Sequence, residues 1–417
     1  MSKYVITGGN RLSGEVNIQG AKNSALPILA AALLINGTTV LHNCPNLSDT
    51  KAALKILKAL GCKCTRLGTD VFIDSSSVSC SIVPENLMRE MRSSVVFLGA
   101  ILSRCSIATI TAPGGCELGP RPIDLHLKAI KELGFSVDEI GGTIQCKRKF
   151  FPKNSEISLD FPSVGATENV ILAACVSKGR IVLNNAAKEP EISDLATFIN
   201  KAGGRVIGAG TDRIEIIGVN RLHSVEHTVI PDRIVAATYM SAAAVTGGDI
   251  LLKNVDNSHL VAIISAFNEM GCKIRCENNS LNISAPNSLA RIKTLRSTVY
   301  PGFPTDAGPL LVASLIKANG TSVFIENIFE NRFNYISELK RLGADIKVHN
   351  KVAIIEGVTT LSGATLSCTD LRGGAAAVVA ALAANGESEI NKICHIERGY
   401  ESLANTLSQL SAKIKKE

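Results

Sequence analysis

The chain has 417 residues, 46% of them hydrophobic and 19% charged, and carries a formal net charge of +7. That hydrophobic share with ordinary charge content excludes disorder, and the length exceeds one ordinary core, so two domains of roughly 200 residues each are expected. Basic residues are dispersed, tryptophan is absent and only five tyrosines occur, which argues against nucleic acid as a partner and leaves either a small anionic substrate or a solvated basic surface.

The N-terminal stretch "MSKYVITGGNRLSGEV" alternates polar and apolar residues and lacks the apolar core of a signal peptide. The longest apolar run, "ALPILAAALLI", is far short of the roughly 20 residues that span a bilayer. A cytoplasmic protein with no membrane segment is expected. Most of the twelve cysteines sit singly in apolar or strand-like segments, as Cys105 and Cys175 do, and read as small buried hydrophobes in a reducing compartment. No C-x-x-C occurs, and Cys62 with Cys64 or Cys272 with Cys276 lack the partner ligands of a zinc site.

In chain order, one unit recurs six times at intervals of about 70 residues. Each unit opens with an apolar helix: "ALPILAAALL", "VVFLGAIL", "ENVILAACV", "IVAATYMSAAAV", "LLVASLI" and "AAAVVAALAA". Helices apolar all round must be buried on every side. In most units a glycine and a β-branched strand follow, as in "NGTTVLHN", and then an amphipathic helix such as "TKAALKILKALG". These second helices end at Gly61, Gly134, Gly203, Gly271, Gly343 and Ser411, and the glycine reads as a left-handed cap. Three units per domain predict two α/β domains in which buried helices are surrounded by sheet and outer helices, with a boundary near Pro231. A continuous solenoid is the alternative, disfavoured because its repeats run to about 20–45 residues.

Just before each apolar helix, small polar or charged residues intrude: Lys22-Asn23, Arg92-Ser93-Ser94, Ser163-Val164-Gly165, Asp232-Arg233, Thr305-Asp306 and Asp370-Leu371-Arg372. Equivalent positions in a repeat lie at the same end of a domain, and helix N-termini carry unpaired N–H groups and partial positive charge. The pattern therefore predicts an anion site, in a cleft if the domains face one another. Helix capping alone would account for Ser163, Thr305 and the aspartates. It accounts poorly for Lys22, Arg92 and Arg372, since a cation at that end needs a bound anion to offset it.

The second unit carries an insertion, "APGGCELGPRPID", between its strand "IATITA" and the helix "LHLKAIKELG". Gly114 and Gly115 supply backbone freedom, Pro120 and Pro122 restrict it, and Arg121 adds a cation, a composition suited to a lid. Cys116 on that lid is expected to be accessible, unlike the other eleven cysteines, and is either incidental or catalytic.

Ten fragments in order carry a family resemblance: "GAKNSALPILAAALL", "PGGCELGPRPIDLHL", "SVGATENVIL", "AAKEPEISDLATFINKAGG", "GTDRIEI", "PDRI", "PGFPTD", "FENRF", "TDLR" and "HIERGYE". Together they resemble the UDP-N-acetylglucosamine 1-carboxyvinyltransferase family, enolpyruvyl transferases of the EPSP synthase-like type. The resemblance implies two inside-out α/β barrel domains, one of residues 21–229 and the other of 1–20 with 230–417, with substrates between them. It implies transfer of the enolpyruvyl group of phosphoenolpyruvate to the 3'-hydroxyl of UDP-N-acetylglucosamine, in peptidoglycan precursor synthesis and so in cell-wall biogenesis, cell shape, cell cycle and cell division. It implies no metal and no cofactor.

Carried onto this sequence, the resemblance assigns Lys22, Asn23, Arg121, Arg372 and Arg398 to phosphoenolpyruvate. Cys116 is implied as the acid that protonates the methylene carbon and as the site of a covalent adduct. A thiol of ordinary pKa, about 8.5, is mostly protonated at neutral pH, whereas Arg121 beside it favours thiolate, and both forms stay open. Asp306 is the implied base toward the sugar hydroxyl, with a helix cap as the alternative. Arg121, Pro122, Ile123, Asp124 and Leu125 are implied around the uracil, Ser163, Val164 and Gly165 at the diphosphate, and Arg92, Asp306 and Ile328 in the rest of the pocket. Asp124 also reads as an ordinary N-cap.

Two positions depart from the family pattern: Gly308 where a glutamine is usual, and Val235 where an acidic residue is frequent. They leave room for a slower paralogue, and a silent UDP-sugar-binding protein or a shikimate 3-phosphate enolpyruvyl transferase are the competing readings. "HSVEH", His223 to His227, formally matches a zinc-protease pattern, but the proline-bounded segment reads as extended rather than helical.

Overall fold

The computed structural model describes residues 2–111, 123–150 and 153–417. They fall into two compact units, 20–230 and 2–19 with 231–417. Each is built from three copies of one unit: an inner helix, a strand, an outer helix and an antiparallel strand pair.

In unit 20–230 the inner helices are Lys22–Ala32, Phe97–Cys105 and Val164–Ala174. Almost every side chain on them is buried, because no polar face exists to be solvated. The outer helices Ser48–Ala59, Asp124–Glu132 and Pro190–Lys201 bury one stripe, the residues spaced three and four apart. The strand Thr38–His42 lies between Val225–Thr228, its parallel neighbour, and the antiparallel strand Asp70–Asp74. The tail of this unit thus completes the sheet of its first repeat. Arg180–Asn184 pairs in the same way with Asn154–Ser158 and Arg213–Ile217.

The other unit has inner helices Arg233–Thr246, Gly308–Leu315 and Leu371–Leu382, packed on one another through alanine and small aliphatic side chains. Its sheets are closed by the N-terminal residues. Ser13–Asn17 adds a parallel strand to Asp249–Lys253, and Tyr4–Thr7 inserts antiparallel between Glu387–Asn391 and Lys413–Lys416.

The repeat markers have one conformation. Gly61, Gly134, Gly203, Gly271 and Gly343 take φ between +87° and +103°, and Ser411 takes +72°. Each closes an outer helix by donating to the carbonyl three residues back, and at all of them but Gly134 the next amide reaches five back, as Cys62 N does to Leu57 O at 3.0 Å. Glycine recurs there because a Cβ disfavours the left-handed region.

The expectation that eleven cysteines are inaccessible is corrected. Cys276 and Cys394 are exposed and Cys80 and Cys105 are half-buried. Cys276 lies on an edge strand, Lys273–Glu277, whose outward face meets no neighbour in its sheet, and Cys394 lies in a short 3-10 turn, Ile393–Arg398. Residues 223–228 are extended, with Val225–Thr228 in strand, so His223 and His227 do not share a helix face.

Candidate active site

In unit 20–230, Lys22 and Asn23 form the first turn of an inner helix that begins without a side-chain cap. Pro27 within the helix has no N–H for the Asn23 carbonyl four residues earlier. Lys22 is 8% exposed, and its Nζ lies 3.3 Å from Asp49 Oδ2. Ser24 in the same turn donates to the Asp194 carboxylate, which also meets His227 Nε2 at 2.8 Å and accepts from Ile230 N at 3.3 Å. Two buried carboxylates thereby hold this helix start in place.

Ser163 caps the helix Val164–Ala174, its hydroxyl accepting from Ala166 N at 3.3 Å, with Val164 and Gly165 half-buried beside it. Gly165 is required by a neighbour: a Cβ there would stand 2.7 Å from His126 Cε1. Asn169 Oδ1 accepts from Gly99 N, so its Nδ2 is the donor that meets His126 Nδ1 at 2.8 Å. Burial pushes His126 down to about 4, and the ring is neutral. Through His126 the segment Ile123-Asp124-Leu125 is brought against Ser163-Val164-Gly165. Asp124 is the exposed first residue of its helix, and Ile123, which makes no side-chain cap bond, holds the cap position. The N-cap reading of Asp124 is therefore corrected to a first-turn acid, favoured by the helix dipole.

Arg92 opens the 3-10 helix Arg92–Val96, and its side chain lies outside the described residues. Cys116, Arg121 and Pro122 also lie outside them.

In the other unit, Asp306 is the middle residue of the 3-10 turn Thr305–Ala307, whose cap position is Pro304. Its Oδ1 accepts from Arg332 Nη2 at 2.9 Å and its Oδ2 from Arg372 Nε at 3.3 Å, so the cap reading is corrected to an ion pair. Thr305 does not cap either. Its hydroxyl donates at 2.9 Å to Glu326, a fully buried carboxylate that also accepts from Ser297 Oγ, Ile328 N and Phe329 N. Glu326 thus ties the turn bearing Asp306 to the loop bearing Ile328 and Arg332. Asp232 and Asp370 are true N-caps, each accepting two backbone amides. Val235, buried, donates one of the amides that Asp232 receives.

Arg372 is buried, with Nη1 donating to Tyr400 Oη at 3.1 Å. Burial disfavours its charge, but Tyr400 and Asp306 more than offset that and hold it above its ordinary value. Arg398, half-buried, ends the 3-10 helix two residues before Tyr400. At Lys22 and at Arg372 the chain itself supplies an offsetting anion, Asp49 and Asp306, so a cation at these helix starts does not by itself require a bound anion.

Asp49, Glu326, Arg332 and Tyr400 were not singled out by sequence reasoning, although Arg332 and Tyr400 lie within "FENRF" and "HIERGYE". Glu168 had a visible signal, a carboxylate inside an apolar run. It is buried, and burial first, then Glu191 and Glu189, raises its pKa well above the ordinary range.

In fold, the chain is similar to the enolpyruvyl transferase NikO of Streptomyces tendae, with TM-score 0.91 and 24% identity over 100% of this chain and 99% of that one. It is also similar to EPSP synthase of Acinetobacter baumannii, with TM-score 0.78 and 18% identity over 100% of both. The architecture is that of the enolpyruvyl transferases, with the inside-out α/β repeats expected above. The sequence pattern of the EPSP synthase (3-phosphoshikimate 1-carboxyvinyltransferase) family matches residues 6–407, and the chain belongs to that family. It is 48% identical to UDP-N-acetylglucosamine 1-carboxyvinyltransferase 2 of Caldanaerobacter subterraneus over 99% of both chains, and 44% identical to the Myxococcus xanthus UDP-N-acetylglucosamine 1-carboxyvinyltransferase over 100% of both. Within the family it falls in the group of these relatives.

Proposed function

We propose that this protein transfers the enolpyruvyl group of phosphoenolpyruvate to the 3'-hydroxyl of UDP-N-acetylglucosamine and releases phosphate, in peptidoglycan precursor synthesis. The observation that carries this reading is end-to-end identity of 44–48% with proteins of that name, against 18% with the solved EPSP synthases. Among the described residues no helix is long and apolar enough to cross a membrane.

In the addition step the 3'-oxygen bonds to C2 of phosphoenolpyruvate, its proton passes to a base, and an acid protonates C3, which becomes a methyl group. In the elimination step the conjugate base of that acid takes a proton back from C3, the double bond re-forms and the C2–O bond to phosphate breaks, releasing phosphate. Asp306 is proposed as the base. Its Oδ1 accepts from Arg332 and its Oδ2 from Arg372, and these two bonds fix the direction of the carboxylate. Cys116 is proposed as the acid at C3. Lys22, Asn23, Arg121, Arg372 and Arg398 are proposed to bind the phosphate and carboxylate of the donor. Ser163, Val164 and Gly165 offer helix-end amides to the diphosphate, Ile123, Asp124, Leu125, Arg121 and Pro122 surround the uracil, and Arg92 and Ile328 complete the sugar-nucleotide contacts.

The test mixes purified protein and phosphoenolpyruvate with either UDP-N-acetylglucosamine or shikimate 3-phosphate and follows phosphate. Release with the nucleotide sugar alone supports the proposal. Release with shikimate 3-phosphate alone overturns it, and tight sugar binding without phosphate identifies a silent binder.

A further inference from the structure

Arg372 enters the chemistry above as one anion-binding side chain, but its surroundings fix more than its charge. Nε points to Asp306 Oδ2 and Nη1 to Tyr400 Oη, while the Tyr400 ring lies with its centroid 5.5 Å from the guanidinium carbon. Two contacts on different nitrogens determine the plane of a guanidinium. The remaining nitrogen, Nη2, meets no acceptor among the described residues.

The proton direction in this chain of bonds can be assigned. Thr238 Oγ1 donates to Ile234 O at 2.9 Å, one turn back in its own helix, which spends its only proton. At 2.8 Å from Thr238 Oγ1, Tyr400 must therefore be the donor, leaving its oxygen lone pairs to accept from Arg372. Burial raises the Tyr400 pKa, so the phenol keeps the proton that this order requires. The order runs from Arg372 through Tyr400 and Thr238 to a backbone carbonyl, and links the inner helices Leu371–Leu382 and Arg233–Thr246.

We infer that Tyr400, seated on Thr238, is a positioning residue that holds the Arg372 guanidinium in the one orientation presenting Nη2 to an anionic oxygen of the enolpyruvyl donor. The inference rests on the proposed function for the identity of that anion. Asp306 alone does not suffice for the task, because a single bond at Nε leaves the far end of the guanidinium without a lateral stop.

The experiment compares Tyr400→Phe, which keeps the ring and removes the oxygen, with Thr238→Val and Thr238→Ser. In Tyr400→Phe the KM for phosphoenolpyruvate is expected to rise about tenfold, as for loss of a charge-assisted hydrogen bond, while the KM for UDP-N-acetylglucosamine stays within about twofold. Thr238→Val moves the same constant in the same direction, and Thr238→Ser, which keeps the hydroxyl, restores it. An unchanged phosphoenolpyruvate KM in Tyr400→Phe, or equal rises in both KM values with a loss of thermal stability, overturns the inference. A second readout needs no turnover: in protein labelled with 15N-arginine, the Arg372 Nη protons, assigned through Arg372→Lys, are expected to be resolved by hindered rotation and to merge in Tyr400→Phe. Persistence of the resolved signals in that variant overturns the inference. Absence of phosphate release by the unaltered protein counts against the proposed function, and the nuclear magnetic resonance measurement still decides the role of Tyr400.

Discussion

Arg332 Nη2 lies 2.9 Å from Asp306 Oδ1, and Arg332 is almost wholly buried. With Arg372 on the other oxygen, removal of the carboxylate leaves two buried cations without it. Asp306→Asn, which keeps the shape, is expected to lower kcat by about 10²- to 10⁴-fold if Asp306 is the base. Asp306→Ala is expected to cost about 2 kcal/mol of stability, below the range for a fully buried pair because Asp306 is partly exposed. Steady-state kinetics and urea unfolding read the two effects separately, and an Asn variant of full activity excludes the base role.

Lys22 and Asp49 form the corresponding pair in the other unit. Lys22→Met and Asp49→Leu should each destabilise the chain, since each removes an ion-pair partner of a buried charge. The double variant should recover part of the loss, with a coupling of about 1–3 kcal/mol in denaturant unfolding. Strict additivity would mean that the pair contributes no mutual energy.

Gly308 is explained by Phe324. A Cβ at Gly308 would lie 2.8 Å from Phe324 Cζ, while the backbone there is ordinary helix with φ −53°. Gly308→Ala should gain up to about 1 kcal/mol of helix propensity and lose about 1–3 kcal/mol to overpacking, a net destabilisation. Combining it with Phe324→Leu should remove the overpacking part. If Gly308→Ala is stabilising on its own, the contact with Phe324 is not restrictive.

His126 makes stability depend on pH. Its folded pKa is about 4 and an unfolded histidine titrates near 6.5, so between those values the unfolded chain binds more protons. Stability is fully present above about pH 6.5 and falls by about 3 kcal/mol as pH drops through 4. Glu168 acts with the opposite sign: its raised pKa gives stability at low pH that is lost as pH rises through the folded value. His126→Gln should flatten the acid limb and Glu168→Gln the alkaline one, as measured by unfolding from pH 4 to 9.

Cys116 is proposed to carry the covalent adduct, and among the described cysteines Cys276 and Cys394 are exposed. Incubation with phosphoenolpyruvate followed by peptide mass spectrometry should place the adduct on the peptide of Cys116 alone, and Cys116→Ser should abolish it. An adduct surviving on either other thiol assigns the chemistry elsewhere.

The sixfold unit was legible because it is written in local signals. An all-apolar helix cannot lie at a surface, a glycine or serine after an amphipathic helix marks a left-handed closure, and both recur at a regular spacing. The motif fragments placed Asp306, Arg372 and Lys22 at helix starts for the same reason. What each of these side chains faces depended on partners far away in sequence, which no spacing reveals: Asp49 for Lys22, Arg332 for Asp306, Tyr400 for Arg372. Helix-start cations that suggested a missing ligand were partly answered by the chain's own carboxylates.

By itself, then, the order of residues determined which segments must be buried, where each repeat closes and to which family the chain belongs, since backbone propensity and burial of apolar surface act over a few turns. The tertiary structure alone decided the charge pairing and hydrogen-bond direction at the candidate site, as those energies depend on distances of a few ångströms between groups dozens of residues apart. Arg372 shows the difference: its position at a helix start is written in "TDLR", but the direction of its guanidinium is set by Asp306 and Tyr400.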